Sequence, residues 1–239
     1  MAKKNNYTIP SKERAPENLH GHIFYGLTLD EEQKVFRDAI YSKDNDIVFC
    51  EAAAGTGKTL ISVATGILMC GYGMYDGITY IVAPTQEEKL GFLPGDAQSK
   101  VARYCDPIYD ALYTLGYDPE RIIESAENAE GRKTGEDIIS CTSHVYLRGR
   151  NFSKRVIIIE EAQNLYFDEM KRVLSRCHDD CKVIVIGNDA QCDIYKHPEK
   201  SGFTPYLKRY AQEERCRVCE LKTNHRGWIS SVADSFTGE

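Results

Sequence analysis

The stretch Glu51-Ala-Ala-Ala-Gly-Thr-Gly-Lys-Thr59 constrains this chain more than any other. It follows the apolar run Ile47-Val-Phe-Cys50 and opens a helical pattern over 58–70. A strand, a glycine-rich turn and a helix in that order make the setting that a phosphate-binding loop requires. Gly55 and Gly57 let the Ala54–Thr59 backbone turn its N–H groups inward around phosphate oxygens, Thr56 among them, and the helix N-terminus adds partial positive charge. Lys58 can reach the β- and γ-phosphates, and the Thr59 hydroxyl can ligate Mg²⁺. The pattern departs from its usual form at Ala52, where a first glycine is expected. A plain glycine-rich turn ahead of a core helix is the competing reading, and Gly-x-Gly-Lys-Thr in this setting weighs against it.

The rest of the chain repeats the alternation. Residues 78–83, 138–141, 156–159, 183–186 and 216–221 are short β-rich runs whose apolar character suits strands covered on both faces. Helical patterns over 30–41, 98–115 and 166–176 fall between them. The expectation is an α/β fold with a mostly parallel sheet and helices on both faces. Residues 1–24 are polar, carry Pro10 and Pro16 and lack periodicity, so they read as a flexible arm ahead of one domain over 25–239. A net charge of −6 argues against a general polyelectrolyte binder, although it leaves room for a local basic groove. There is no apolar run of membrane-spanning length and no secretory signal, so a cytoplasmic location is expected. The nine cysteines then read as reduced thiols rather than a disulfide framework.

Three further stretches end strands in polar residues. Val156-Ile-Ile-Ile159 runs into Glu160 and Glu161: the first carboxylate can sit beside the metal, and the second can aim at water and accept its proton. A solvated acidic turn is the bland alternative, and the upstream phosphate loop weighs against it. Glu160 stands where Asp is usual, and its extra methylene bears on turnover. Val183-Ile-Val-Ile-Gly-Asn-Asp-Ala-Gln191 places Gln191 where an amide can sense a γ-phosphate through one hydrogen bond, an ordinary loop amide being the alternative. Leu221-Lys-Thr-Asn-His-Arg226 sets Arg226 after the last strand, where a guanidinium can stabilise charge on a transferring phosphoryl group. Whether it serves its own site or a neighbour's stays open here.

These blocks, together with Glu88-Lys-Leu-Gly-Phe-Leu-Pro-Gly95 and Tyr146-Leu-Arg-Gly-Arg150, resemble the PhoH-like ATPases from about Leu27 to Phe236. The Leu-Gly-Phe-Leu-Pro-Gly string and the Glu-Ala-Gln-Asn block are specific in combination, whereas the phosphate loop is shared with many families. The family is similar to the first RecA-like lobe of superfamily 1 helicases. The resemblance therefore implies a RecA-like P-loop NTPase that hydrolyses ATP with Mg²⁺. It implies that Gln33, in Leu27-Thr-Leu-Asp-Glu-Glu-Gln33, reads the adenine edge with the donor and acceptor of its amide. A place at the start of an amphipathic helix is the alternative for that residue.

The resemblance also implies work on RNA or single-stranded nucleic acid. Thr142, Ser143, His144, Arg148 and Arg150 are the candidate contacts; the two arginines could equally serve a neighbour's nucleotide or solvent. Phe92 is a candidate for base stacking, with a place in the core as the alternative. A single lobe works as a motor by assembling with its own copies, so a homo-oligomeric ring, such as a hexamer, is expected. Cys177, Cys181, Cys216 and Cys219 could supply four thiolates to zinc, but the spacing of the last two on a strand points them to opposite faces. Two other functions stand beside the ATPase: a low-turnover nucleotide switch or scaffold, motivated by Ala52 and Glu160, and a small-molecule kinase, against which Glu161 argues.

Overall fold

The computed structural model describes residues 14–83, 105–123, 138–194 and 198–235. The Glu88–Gly95 block with Phe92, the first part of the helix expected over 98–115, and the first thirteen residues lie outside them. Six strands form one sheet: β1 (Ile47–Ala52), β2 (Gly77–Val82), β3 (Ile139–Ser143), β4 (Arg155–Glu160), β5 (Lys182–Gly187) and β6 (Cys216–Leu221). Each coincides with one of the runs read from the sequence to within about two residues. The spatial order is β3-β2-β4-β5-β1-β6, and every pairing is parallel.

The helices are α1 (Glu31–Tyr41), α2 (Lys58–Gly71), α3 (Asp106–Thr114), the single turn α4 (Pro119–Ile122), α5 (Phe167–Leu174), α6 (Phe203–Tyr210) and α7 (Trp228–Ser235). They cover both faces, as the continuous apolar strands require. Val48, Cys50 and Ala52 of β1 pack with Phe36, Ile61 and Ile108 from α1, α2 and α3. Ile47 and Phe49 point the other way and pack with Met170 of α5 and Phe203 of α6. Cys216 and Cys219 likewise fall on opposite sides of the sheet, so β6 cannot bring that pair to one ion. None of the nine cysteines is joined in a disulfide.

Part of the stretch expected as an arm packs against the domain. Leu19 and Phe24 are buried in the core of the α1 face, and Tyr41 Oη donates to the Pro16 carbonyl at 2.8 Å. A few well-spaced apolar side chains hold this segment down without any periodic pattern. Among the described residues, no helix is long and apolar enough to cross a membrane.

Candidate active site

Parallel pairing brings the carboxyl ends of all six strands to one edge, and ligands of open α/β sheets bind there. β5 lies between β1 and β4, so three turns converge: residues 53–57 after β1, 160–164 after β4 and 188–192 after β5. β6 borders β1 on its other side and lays residues 222–226 against the first of these turns.

Gly55 and Gly57 adopt φ of +73° and +79°, a left-handed backbone that lets the loop turn back on itself. Gly57 is the N-cap of α2, and among the described residues no side chain caps that end and no acid occupies its first turn. The first N–H groups of α2 are thereby left for an anion. Thr56 is buried, and its hydroxyl donates to the Ala53 carbonyl at 3.0 Å, so it braces the loop from beneath. Ala52 is the last residue of β1, with its methyl in the core opposite Leu221. The departure from the usual glycine therefore falls on the strand, before the backbone turns.

Across the loop stand the two carboxylates. Lys58 Nζ lies 3.4 Å from Glu161 Oε1, with the lysine side chain 12% exposed and the glutamate 44%. Thr59 Oγ1 donates to Glu160 Oε1 at 2.9 Å. Glu160 is only 4% exposed, and its Oε2 finds no hydrogen-bond partner among the described residues. Burial pushes its carboxyl up to about 7; Glu161 adds to the rise, while Lys58 and the Thr59 hydroxyl oppose it. A buried carboxylate with one idle oxygen, touching a threonine hydroxyl, offers the hard oxygen ligands that suit Mg²⁺. No group of three or more His, Cys, Asp or Glu among the described residues could hold a metal, so phosphate and water would have to complete the shell.

Glu161 sits at φ +52°, uncommon for a residue with a side chain. Gln163, fully buried, holds it there. Its Nε2 donates to Glu161 Oε2 and, at 3.3 Å, to the Gln191 carbonyl, while its Oε1 accepts the Asn188 N–H at 3.1 Å. One amide thus ties the turn after β4 to the turn after β5. Gln191 is exposed in the short helical turn Asp189–Gln191 at the same edge of the sheet. Gln163 belongs to the Glu-Ala-Gln-Asn block, and nothing local to that block marks it as the tie between two turns.

A model of the family described as PhoH-like protein matches residues 28–227. The chain belongs to the PhoH-like family. It is 36% identical to a PhoH-like protein of Synechocystis over 174 residues, covering 71% of this chain and 50% of that protein. It is 34% identical to the PhoH-like protein of Bacillus subtilis, over 82% of this chain and 59% of that protein. For Protein PhoH of Escherichia coli the identity is 34%, over 79% and 51%. This PhoH-like chain therefore spans only about half the length of the curated relatives it matches. Its fold is similar to the large terminase of bacteriophage HK97, with a TM-score of 0.52, 13% identity and coverage of 85% of this chain and 41% of that one. It is also similar to the large terminase of a thermophilic bacteriophage, with a TM-score of 0.53, 13% identity and coverage of 89% and 51%. The expected RecA-like α/β fold, a parallel sheet with helices on both faces, is the one found.

The remaining candidates divide. Arg226 lies beside the phosphate loop: a Cβ on Gly55 would stand 3.0 and 3.1 Å from its Cγ and Cδ. Gln33 also reaches the loop, but from below. Its Nε2 donates to the Thr56 carbonyl at 2.9 Å and its Oε1 accepts the Asp30 N–H at 3.2 Å, so the acceptor and one amide proton are engaged within the protein. A role as helix starter is visible as well, since Asp30 and Gln33 form a capping box at the head of α1. Thr142 and His144 are 5% and 8% exposed, and His144 Nε2 faces Glu169 Oε1 at 3.4 Å. Burial leaves them little surface for a strand of nucleic acid. Arg148 and Arg150 are exposed on either side of Gly149, whose φ is +79°.

Proposed function

We propose that this PhoH-like chain binds ATP with Mg²⁺ and hydrolyses it, and that the turnover is coupled to RNA or single-stranded nucleic acid. The observation that carries the reading is the double contact across the phosphate loop, Lys58 with Glu161 and Thr59 with Glu160. Thr59 and Glu160 would hold the magnesium ion, whose chemistry here is to neutralise charge on the phosphates. The main-chain N–H groups of the loop and of the first turn of α2 bind the phosphate oxygens. Lys58 then turns from Glu161 toward the β- and γ-phosphates. Glu161, freed from its lysine but still held by Gln163, accepts a proton from the attacking water. The water oxygen bonds to the γ-phosphorus as the bond to the bridging oxygen breaks, giving ADP and phosphate. Arg226 stabilises the charge that spreads over the transferred group.

The exposed pair Arg148 and Arg150 supports the nucleic-acid half, because the glycine between them lets the backbone approach a phosphate. Motor action would come from an assembly of several copies, which the solution mass with and without ATP reports. The deciding experiment measures phosphate release from ATP with and without single-stranded RNA. Magnesium-dependent release that rises with RNA supports both halves. No release in either condition removes the hydrolase reading.

A further inference from the structure

The head of α1 grips two pieces of the site at once. Asp30 Oδ1 accepts the Gln33 N–H at 2.8 Å, and Asp30 Oδ2 lies 2.8 Å from His225 Nε2. Through Gln33 Nε2, α1 holds the Thr56 carbonyl of the phosphate loop. The next residue but one, Glu32, accepts the N–H groups of Lys222 and Thr223 on Oε2 at 2.8 and 3.2 Å. The strap 222–226 is thus tied to α1 along its length, and its His225 N–H donates to the Gly55 carbonyl at 2.8 Å. Asn224 completes the fastening: its Oδ1 accepts the Arg226 N–H at 2.8 Å, and its Nδ2 donates to Ser230 Oγ at 2.8 Å. That same Oδ1 would stand 2.7 Å from a Cβ on Gly55, so the strap lies directly on the loop.

We propose that Asp30 and His225 form a latch that positions Arg226 over the phosphate loop of its own chain, so that Arg226 serves the nucleotide bound in cis. This deepens the ATPase reading above and rests on it. A long flexible guanidinium reaches a transition state reproducibly only if its backbone is fixed, and a displacement of about 1 Å at a reacting centre can cost roughly a hundredfold in rate. The strap's main-chain N–H groups keep their bonds to Glu32 and to the Gly55 carbonyl when the side-chain pair is lost, so breaking the latch should loosen Arg226 without unfolding the strap. Asp30 and His225 are positioning residues: they act through Arg226.

The test compares His225→Ala, Asp30→Asn and Arg226→Ala in the full chain. Asn caps a helix about as well as Asp, so the second variant keeps the head of α1 while weakening its hold on His225. The latch variants should lower kcat for ATP about tenfold and leave KM within about twofold, the split expected when positioning at the reacting centre is lost. Added to Arg226→Ala, His225→Ala should cost nothing more. Mixing Lys58→Ala chains with Arg226→Ala chains should restore no turnover, because each nucleotide is served by its own arginine. Full kcat in His225→Ala, an undiminished penalty in the Arg226→Ala background, or recovery on mixing would each overturn the proposal. Hydrogen exchange across 53–57 and 222–227 separates the latch from the ATPase reading. Should the parent chain turn over no ATP, that reading fails by itself, and faster exchange in both latch variants still supports the latch, whereas unchanged exchange overturns it.

Discussion

Replacing Glu160 with Gln should make the nucleotide-free protein more stable at pH 8 while disabling the magnesium site proposed above. The Glu160 carboxyl titrates at about 7 in the folded chain against an ordinary 4.5, and burial is the main cause. Between those values the folded state holds a proton that the unfolded state has released, so stability falls as pH rises through that window and levels off above it. Each pH unit of the gap is worth about 1.4 kcal/mol, which puts the cost of the bare carboxylate near 3 kcal/mol at pH 8. Gln carries no charge to bury and can still accept the Thr59 hydroxyl. Its amide nitrogen takes the place of the idle Oε2 and, without an acceptor, costs about 1 kcal/mol. A net gain of about 2 kcal/mol remains. At roughly 2–4 °C per kcal/mol for a domain of this size, Tm should rise by about 4–8 °C. At pH 5 most of the cost is already absent, and the advantage should vanish or reverse. Thermal scans and urea melts in EDTA between pH 5 and 8 measure this directly. With ATP and Mg²⁺ added the ranking should invert, because only the parent gains stability from the ligand. A difference in Tm that stays the same from pH 5 to pH 8, or a Gln variant that weakens as pH rises, would refute the account of Glu160 as a carboxylate strained by burial.

Lys58→Ala should weaken ATP binding by roughly 10–100-fold, the worth of a hydrogen bond from a charged donor, and calorimetric titration at unchanged affinity would count against the loop assignment. Glu161→Gln should abolish phosphate release while ATP still binds; turnover that survives removes the role given to that carboxylate. Gly55→Ala meets both a positive φ and a contact of 2.7 Å with Asn224, so stability should fall by about 1–3 kcal/mol, read as a lower urea midpoint. The paired change Arg148→Ala and Arg150→Ala should reduce RNA binding and leave RNA-free turnover intact. If each arginine neutralises one phosphate, the slope of log affinity against log salt should shrink by about 1.4, and an unchanged slope would place both side chains away from the RNA.

Apolar runs announced the strands because a parallel strand buried on both faces must be apolar throughout, and β4 and β5 satisfy this without interruption. The phosphate loop was equally legible, since the left-handed turns at 55 and 57 need glycine and the lysine and threonine must follow at fixed distance. The order of the strands was not. Nothing local to Val183–Gly187 says that β5 inserts between β1 and β4, and that insertion brings Gln191 toward Glu161 through Gln163. Helix α6 leaves only a weak helical pattern, because its first turn carries Phe203 and, at the third position, Pro205. Gln33 was legible only in part. Asp30-Glu-Glu-Gln33 carries the sequence signature of a capping box, a local cue that was available, whereas its bond to Thr56 joins residues that no pattern links.

These two kinds of legibility follow from two kinds of physics. Motifs that bind phosphate or start helices are written locally, because the groups that cooperate are a few residues apart on one stretch of backbone. Contacts between distant segments are written across the fold: Asp30 meets His225, and Glu32 meets Lys222 and Thr223, only because β6 lies beside β1 and delivers its strap to the head of α1. Glu160 belongs to both classes. Its place at the end of an apolar run is readable, but its idle oxygen and raised pKa arise from burial in the fold, which the Thr59 hydroxyl and Lys58 only partly offset. A carboxylate kept in that condition is unfavourable for the empty protein and favourable once a divalent cation takes its charge. If ATP and Mg²⁺ bind as proposed, the stability lost to burying that charge is recovered on binding, which would couple binding to the rigidity of the loop and of the strap resting on it.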